Sequence, residues 1–164
     1  MDGRRLLALA EKLVEGVAAR APLTGGDGAP ECRTAISRAY YAVFLVASAY
    51  LDRVGFAVQN TPAAHLAVQY AFNNAGDAVL RKIATDLGKL HAKRRAADYE
   101  LKNLSPEQLS YAQEVIKTAA DDIAWLDDVR ENAPPERTGA VAVAVSRWLK
   151  LAQNAGLRQK SGTH

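Results

Sequence analysis

The sequence predicts an all-α fold, and two observations carry that prediction. Apolar residues recur at spacings of three and four rather than in alternation, and the chain is rich in Ala but only 7% aromatic, a balance that suits packed helices. Its 164 residues suffice for one domain with a real core and are too few for two comfortable ones. The expected organisation is a helical bundle over residues 1–133 and a C-terminal helix with a frayed tail over 134–164.

Each element has its own grounds. The first helix is expected from Asp2 to Arg20, with Leu6, Leu9, Ala10, Leu13, Val14 and Val17 on one apolar stripe and Pro22 beyond its end. Thr24 to Pro30 reads as a flexible connector, and its Gly25-Gly26-Asp27-Gly28 run as linker rather than phosphate cradle. The second helix is expected from Pro30 and Glu31 to about Gly55, because Ile36, Tyr40, Val43, Phe44, Ala47, Leu51 and Val54 keep helical period. It is the central helix. Thr61-Pro62 reads as an N-cap with Pro at the first helical position, opening a short helix that ends at Asn73-Asn74. Gly76-Asp77 restarts the chain into a long fourth helix with Val79, Leu80, Ile83, Leu87, Leu90, Ala97 and Leu101 on its inner face.

Ser105-Pro106-Glu107-Gln108 reads as a capping box that starts a fifth helix through Leu109, Ala112, Ile116, Ala119, Ile123 and Leu126. Pro134-Pro135 closes the bundle. In the tail, Val141, Val143 and Val145 alternate as in a strand, while Val141, Val145, Trp148 and Ala152 fit a helix capped by Thr138. Helix is the reading adopted, since a lone strand has no ladder partner. Gly156 to His164 reads as frayed.

Composition narrows the function classes. No stretch reaches the roughly 18 to 20 uninterrupted apolar residues of a membrane span, and the first segment, broken by Glu11, Lys12 and Glu15, is an amphipathic helix rather than a signal peptide. The single cysteine, Cys32, makes no internal disulfide, which fits a reducing cytoplasm. A cytoplasmic protein with no membrane partner is expected. No His, Cys, Asp and Glu cluster has metal-ligand spacing, and no Ser-His-Asp order stands out, so no metal and no cofactor are expected.

The net charge of +3 is modest, and its distribution says more. Arg81, Lys82, Lys89, Lys93, Arg94 and Arg95 face Asp86 alone on the fourth helix, while Asp121, Asp122, Asp127, Asp128 and Glu131 face Arg130 on the fifth. Such asymmetry suits an anionic partner on one side or self-association of unlike faces; two solvated faces with no partner are the plainer alternative. Arg81, Lys82, Lys89, Lys93 and Arg95 are the candidate nucleic-acid-binding residues.

Two segments carry most of the functional signal, Ser37 to Phe44 and Arg94 to Tyr99. Arg38 and Tyr41 flank the apolar stripe of the second helix. Extending the register of Leu87 and Leu90 predicts core positions at 94, 97 or 98, and 101, where the sequence supplies Arg94 and Asp98 four residues apart. An Arg fork and a carboxylate form the pair best able to survive partial burial. Arg38, Tyr41, Arg94 and Asp98 are therefore expected to converge on a polar cleft between the second and fourth helices, or to serve only as a clamp that orders the bundle. His91 precedes Arg94 by three residues and reads as a helix-surface residue, while His65, beside apolar neighbours, reads as a satisfied core or capping histidine.

The pairing of Ser-Arg-Ala-Tyr-Tyr-Ala-Val-Phe at 37–44 with Arg-Arg-Ala-Ala-Asp-Tyr at 94–99, with the His-bearing segment Ala63-Ala64-His65-Leu66 between them, resembles the HEPN superfamily. The branch it is most similar to is the small prokaryotic one with "RAYYA" and "R…ADY" signatures. The resemblance implies an antiparallel four- to five-helix bundle that often dimerises. It also implies membership of a group in which many proteins are metal-independent RNases, found as toxins of toxin-antitoxin pairs and in defence systems.

Those RNases carry an Arg followed four to six residues later by His. Here the residues at these distances from Arg94 are Asp98, Tyr99 and Glu100, and Tyr99 stands in the place of the His. A phenol with an ordinary pKa near 10 is a poor substitute for an imidazole near 6.5 in neutral acid-base work. The expectation is thus a binding or regulatory module for RNA or a nucleotide, with an antitoxin or a nucleotidyltransferase-like protein as its cognate partner and self-association into a homo-oligomer. The alternatives are an active RNase toxin using Arg94 with His91 or Tyr99, and a bundle that serves protein-protein interaction alone.

Overall fold

The computed structural model describes residues 2–20, 28–58, 61 and 63–161. Among these every regular element is helical: α1 (Gly3–Ala19), α2 (Ala29–Arg53), α3 (Ala64–Asn73), α4 (Ala78–Tyr99), α5 (Leu109–Asn132) and α6 (Pro135–Ser161), with a single 3-10 turn at Ser105–Glu107 before α5. The all-α expectation holds, and the helices form a bundle around α2.

α2 touches α1, α3, α4, α5 and the 3-10 turn. It earns that place through an apolar surface wide enough to bury Ile36, Tyr40, Val43, Val46, Ala47 and Leu51 on several sides at once. By length and composition this helix would also suit a membrane span, and 61% of its most apolar window is buried inside the bundle. α1 packs on it closely enough that a Cβ at Gly3 would lie 2.4 Å from the Ala42 carbonyl oxygen, so only glycine permits that approach. The α1 stripe is narrower than its sequence suggests. Ala10, Val14 and Val17 are buried, whereas Leu9 is 44% exposed.

Several element boundaries depart from expectation for identifiable reasons. α3 begins at Ala64 rather than at Pro62, and Thr61 contributes its carbonyl, which accepts from the Ala64 N–H at 2.9 Å, rather than a capping hydroxyl. Pro62 itself lies outside the described residues, as do the Pro22 stop and the glycines at 25 and 26 of the connector. α4 opens as expected, its N-cap Asp77 accepting from Val79 and Leu80 N–H. It ends at Tyr99, so Leu101 lies beyond the helix and is 73% exposed instead of extending the inner face.

The expected capping box at Ser105 does not form. The Ser105 N–H that the Gln108 side chain would have to meet is taken by the Asn103 side chain at 3.1 Å, and the Gln108 N–H turns back to the Ser105 carbonyl at 3.2 Å, so the segment closes as a 3-10 turn and α5 starts separately at Leu109. α6 is a helix, with Val141 and Val145 buried at 2% and 1%, while Val143 is 69% exposed, as the helical period of about 3.6 residues rather than strand alternation requires. Pro135 is its first residue, ahead of the expected cap at Thr138, and Arg137 ties it to Asp77 at 2.6 Å. The helix continues through Ser161, past the expected fraying at Gly156; residues 162–164 lie outside the described residues.

Candidate functional site

α2 and α4 run past each other in opposite directions, since Arg33 reaches Ala97, Ser37 reaches Asp98 and Tyr41 reaches Arg94. Between them opens a cleft of about 600 Å³ lined by Arg38, Tyr41, Arg94 and Asp98, together with Arg33 and Ser37. The four residues singled out from the sequence therefore share one site.

Its centre is Arg94. Successive turns of α4 bring its Nε within 2.7 Å of Asp98 Oδ2, with the two side chains only 15% and 26% exposed. The N–H is not aimed well at the oxygen, so the attraction is mainly coulombic. The Arg94 Nη2 donates to the Tyr41 hydroxyl at 3.0 Å and reaches the Tyr99 hydroxyl at 3.4 Å. Both rings lie 5.2 Å from the guanidinium carbon, the distance at which aromatic faces attract a cation. Ser37 Oγ donates weakly to Asp98 at 3.4 Å. Arg38 lines the same cleft, partly buried, and has no hydrogen-bond or ion-pair partner among the described residues. The cleft's one carboxylate, Asp98, thus pairs with Arg94 and leaves Arg38 without a counter-charge.

Behind Tyr41 the site continues into an aromatic and imidazole cluster. Tyr40 is 2% exposed, and burial pushes its phenol far above the ordinary range, so its hydroxyl remains protonated and shares a 2.6 Å hydrogen bond with His65 Nδ1. The His65 ring stacks on His91 at 5.2 Å and contacts Phe44 at 4.6 Å. Burial, then the neighbouring His91 and Arg94, hold His65 below its usual pKa; burial, then Arg94 and Arg95, do the same to His91. His91 is therefore not a free surface residue. It is half-buried against Tyr40 at 5.3 Å and presents a neutral imidazole. His65 is the partly buried, hydrogen-bonded histidine its sequence context suggests. Tyr99, the third catalytic candidate, is 68% exposed at the rim.

Arg33 is the residue that sequence reasoning missed. It is 12% exposed, binds Glu107 at 2.8 Å, and donates to the carbonyls of Ala97 and Asn103 at 2.9 and 2.6 Å. It closes the C-terminal end of α4, where unpaired carbonyls and the helix dipole favour a cation. Its partners lie 63 to 74 residues away, so no local pattern marks it.

The remaining basic candidates divide between two faces of α4. Lys82 and Lys89 hold Asp86 at 2.6 and 3.3 Å, and Lys93 holds Glu114 at 2.9 Å, all toward α5. Arg81 and Arg95 are exposed, with no ion pair among the described residues. The acidic run on α5 is also largely paired: Asp121 with Lys117, Asp127 with Arg4 and Arg130, Glu131 with Arg130. Among the described residues no group of three or more His, Cys, Asp or Glu side chains is placed to hold a metal ion. Compared with known proteins, the chain matches no family model, no curated protein and no solved structure.

Proposed function

We propose that the protein is a HEPN-like antiparallel bundle that binds RNA or a nucleotide through the cleft between α2 and α4 without cleaving it efficiently. The observation that carries this reading is the unpartnered Arg38 beside Arg94 in a 600 Å³ cleft holding a single carboxylate. A surplus guanidinium at a partly buried site recruits an anion, and its planar fork suits a phosphate. Tyr41 and Tyr99 add faces on which a base stacks. The paired lysines of α4 have counterions already, so the phosphate contacts concentrate at the cleft and at Arg81 and Arg95 rather than along the whole helix.

The absence of efficient cleavage follows from Tyr99. Its hydroxyl stands next to Arg94, but a phenol does not exchange protons readily near neutrality. One observation favours the second reading, an RNase: the neutral His91 and His65 imidazoles lie behind Tyr41, on the Arg94 side of α4. A second copy of the chain is the partner proposed for Tyr99, Leu101 and Leu104, which stand 68%, 73% and 62% exposed at the cleft end of α4. A cognate antitoxin or nucleotidyltransferase-like protein is proposed on the family resemblance alone.

The test is the affinity for a short single-stranded RNA as salt is raised. The affinity is expected to fall steeply, and Arg38→Ala to weaken it and reduce the log-log salt slope by about one, the signature of one lost phosphate contact. An unchanged slope in Arg38→Ala would remove the cleft from the binding site.

A further inference from the structure

Asp122 is the polar group the fold leaves least explained. It is 0% exposed, and neither carboxyl oxygen has a hydrogen-bond partner among the described residues, although buried polar groups are nearly always paired. The register Val115, Ala119, Asp122, Leu126 and Val129, all buried, turns it inward from α5. Lys82 over the Trp125 ring and Lys93 on Glu114 fix the antiparallel register of α4 on α5, which sets Asp86, itself 7% exposed, level with Asp122. Asp86 has partners of its own, Lys82 and Lys89, which reach it from the exposed flank. Lys82 also lies 4.1 Å from the centre of the Trp125 ring, one turn of α5 beyond Asp122. Of the groups that meet here, only Asp122 stands alone.

We propose that the α4–α5 joint is operated by a proton: α5 lies closed on α4 while the Asp122 carboxyl is neutral, and loosens from α4 when that proton is lost. Two carboxylates facing one another in a dry joint do not both ionise without further counter-charge. Burial, then the charge of Asp86, push Asp122 up to about 7; Asp121 acts in the same direction, and Lys82 and Lys89 oppose it. Among the described residues the other elements packed on α5 set no cation against Asp122; the 3-10 turn brings Glu107, which Arg33 holds. The buried face of α2, packed on α5, carries no charged residue, and Arg4 of α1 is held by Asp127. An ionised Asp122 is relieved in two ways, by drawing Lys82 away from Asp86 and the Trp125 ring, or by letting water in between the helices. Either loosens the joint. The inference does not depend on what the cleft binds.

The experiment follows amide exchange of α4 and α5 in the full-length protein from about pH 5.5 to about pH 8.5, corrected for intrinsic exchange chemistry. Trp125 fluorescence in a Trp148→Phe background is read in parallel. The expected result is one sigmoidal step centred near 7 in both signals, with α5 exchange rising about tenfold across it. In Asp122→Asn the step is expected to vanish, leaving the joint closed throughout. In Asp86→Asn, which removes the repelling charge and releases Lys82 and Lys89, the step is expected to move to lower pH. No step in the unaltered chain, a step that survives in Asp122→Asn, or one that stays in place in Asp86→Asn would overturn the proposal.

Discussion

Replacing Asp122 by Asn has a worked consequence for stability. The carboxyl is fully buried and unpaired, and it titrates at about 7 instead of the ordinary 3.8. For an acid whose folded pKa is raised, the unfolded chain ionises first as pH rises, so stability falls between the two values and levels off above the higher one. A rise from 3.8 to about 7 corresponds to roughly 4 kcal/mol lost by pH 8, an upper bound because local opening of the α4–α5 joint caps the cost. Asn keeps the shape and removes the titration, at a pH-independent cost of about 1 to 3 kcal/mol for an unpaired buried amide. Urea unfolding at a series of pH values should therefore find Asp122→Asn level with or below the unaltered chain at about pH 4 and more stable at about pH 8. Two stability curves that stay parallel across this range would mean that Asp122 does not titrate there in the folded chain.

Three further outcomes are expected. Arg94→Ala and Asp98→Ala should each destabilise, and the double replacement should cost about 1 kcal/mol less than their sum, because each single change strands a partly buried charge; additive urea-unfolding losses would mean the pair is decorative. Arg33→Ala should cost about 2 to 3 kcal/mol in thermal or urea unfolding, and Arg33→Lys should not restore it, since an ammonium cannot span Glu107 and two carbonyls with the same fork. Tyr99→His should introduce weak, metal-independent cleavage of single-stranded RNA that a second change, Arg94→Ala, removes; the side chain is exposed enough for the exchange to leave the thermal midpoint nearly unchanged.

The helices and the cleft were legible in the sequence because both follow from local period. Arg94 and Asp98 occupy positions where the register of Leu87 and Leu90 calls for core residues, and Arg38 and Tyr41 flank the apolar stripe of the helix that packs there. What escaped depends on distant partners. The capping pattern at Ser105 fails where Asn103 takes its N–H, in a segment that Arg33, far back in the chain, holds through the Asn103 carbonyl and Glu107. The basic appearance of α4 is likewise local, and in the folded chain three of its lysines pair with two carboxylates, Asp86 and Glu114. Asp122 looked like one more member of an acidic surface run, although its spacing from Ala119 and Leu126 already placed it on the buried face. His91 looked exposed because nothing in its own helix announces His65 and Tyr40 from two other elements.

On the reading proposed above, Arg38 and Arg94 hold phosphate in a cleft that does not cut RNA. Incubating the purified chain with end-labelled single-stranded RNA in EDTA at low salt, and reading retardation and fragment length on the same samples, tests it directly. Retarded, intact RNA is expected, with loss of the retarded band in Arg38→Ala and Arg94→Ala. Robust cleavage that disappears in Arg94→Ala would contradict it and favour an RNase; intact RNA that is never retarded would leave protein-protein interaction as the reading.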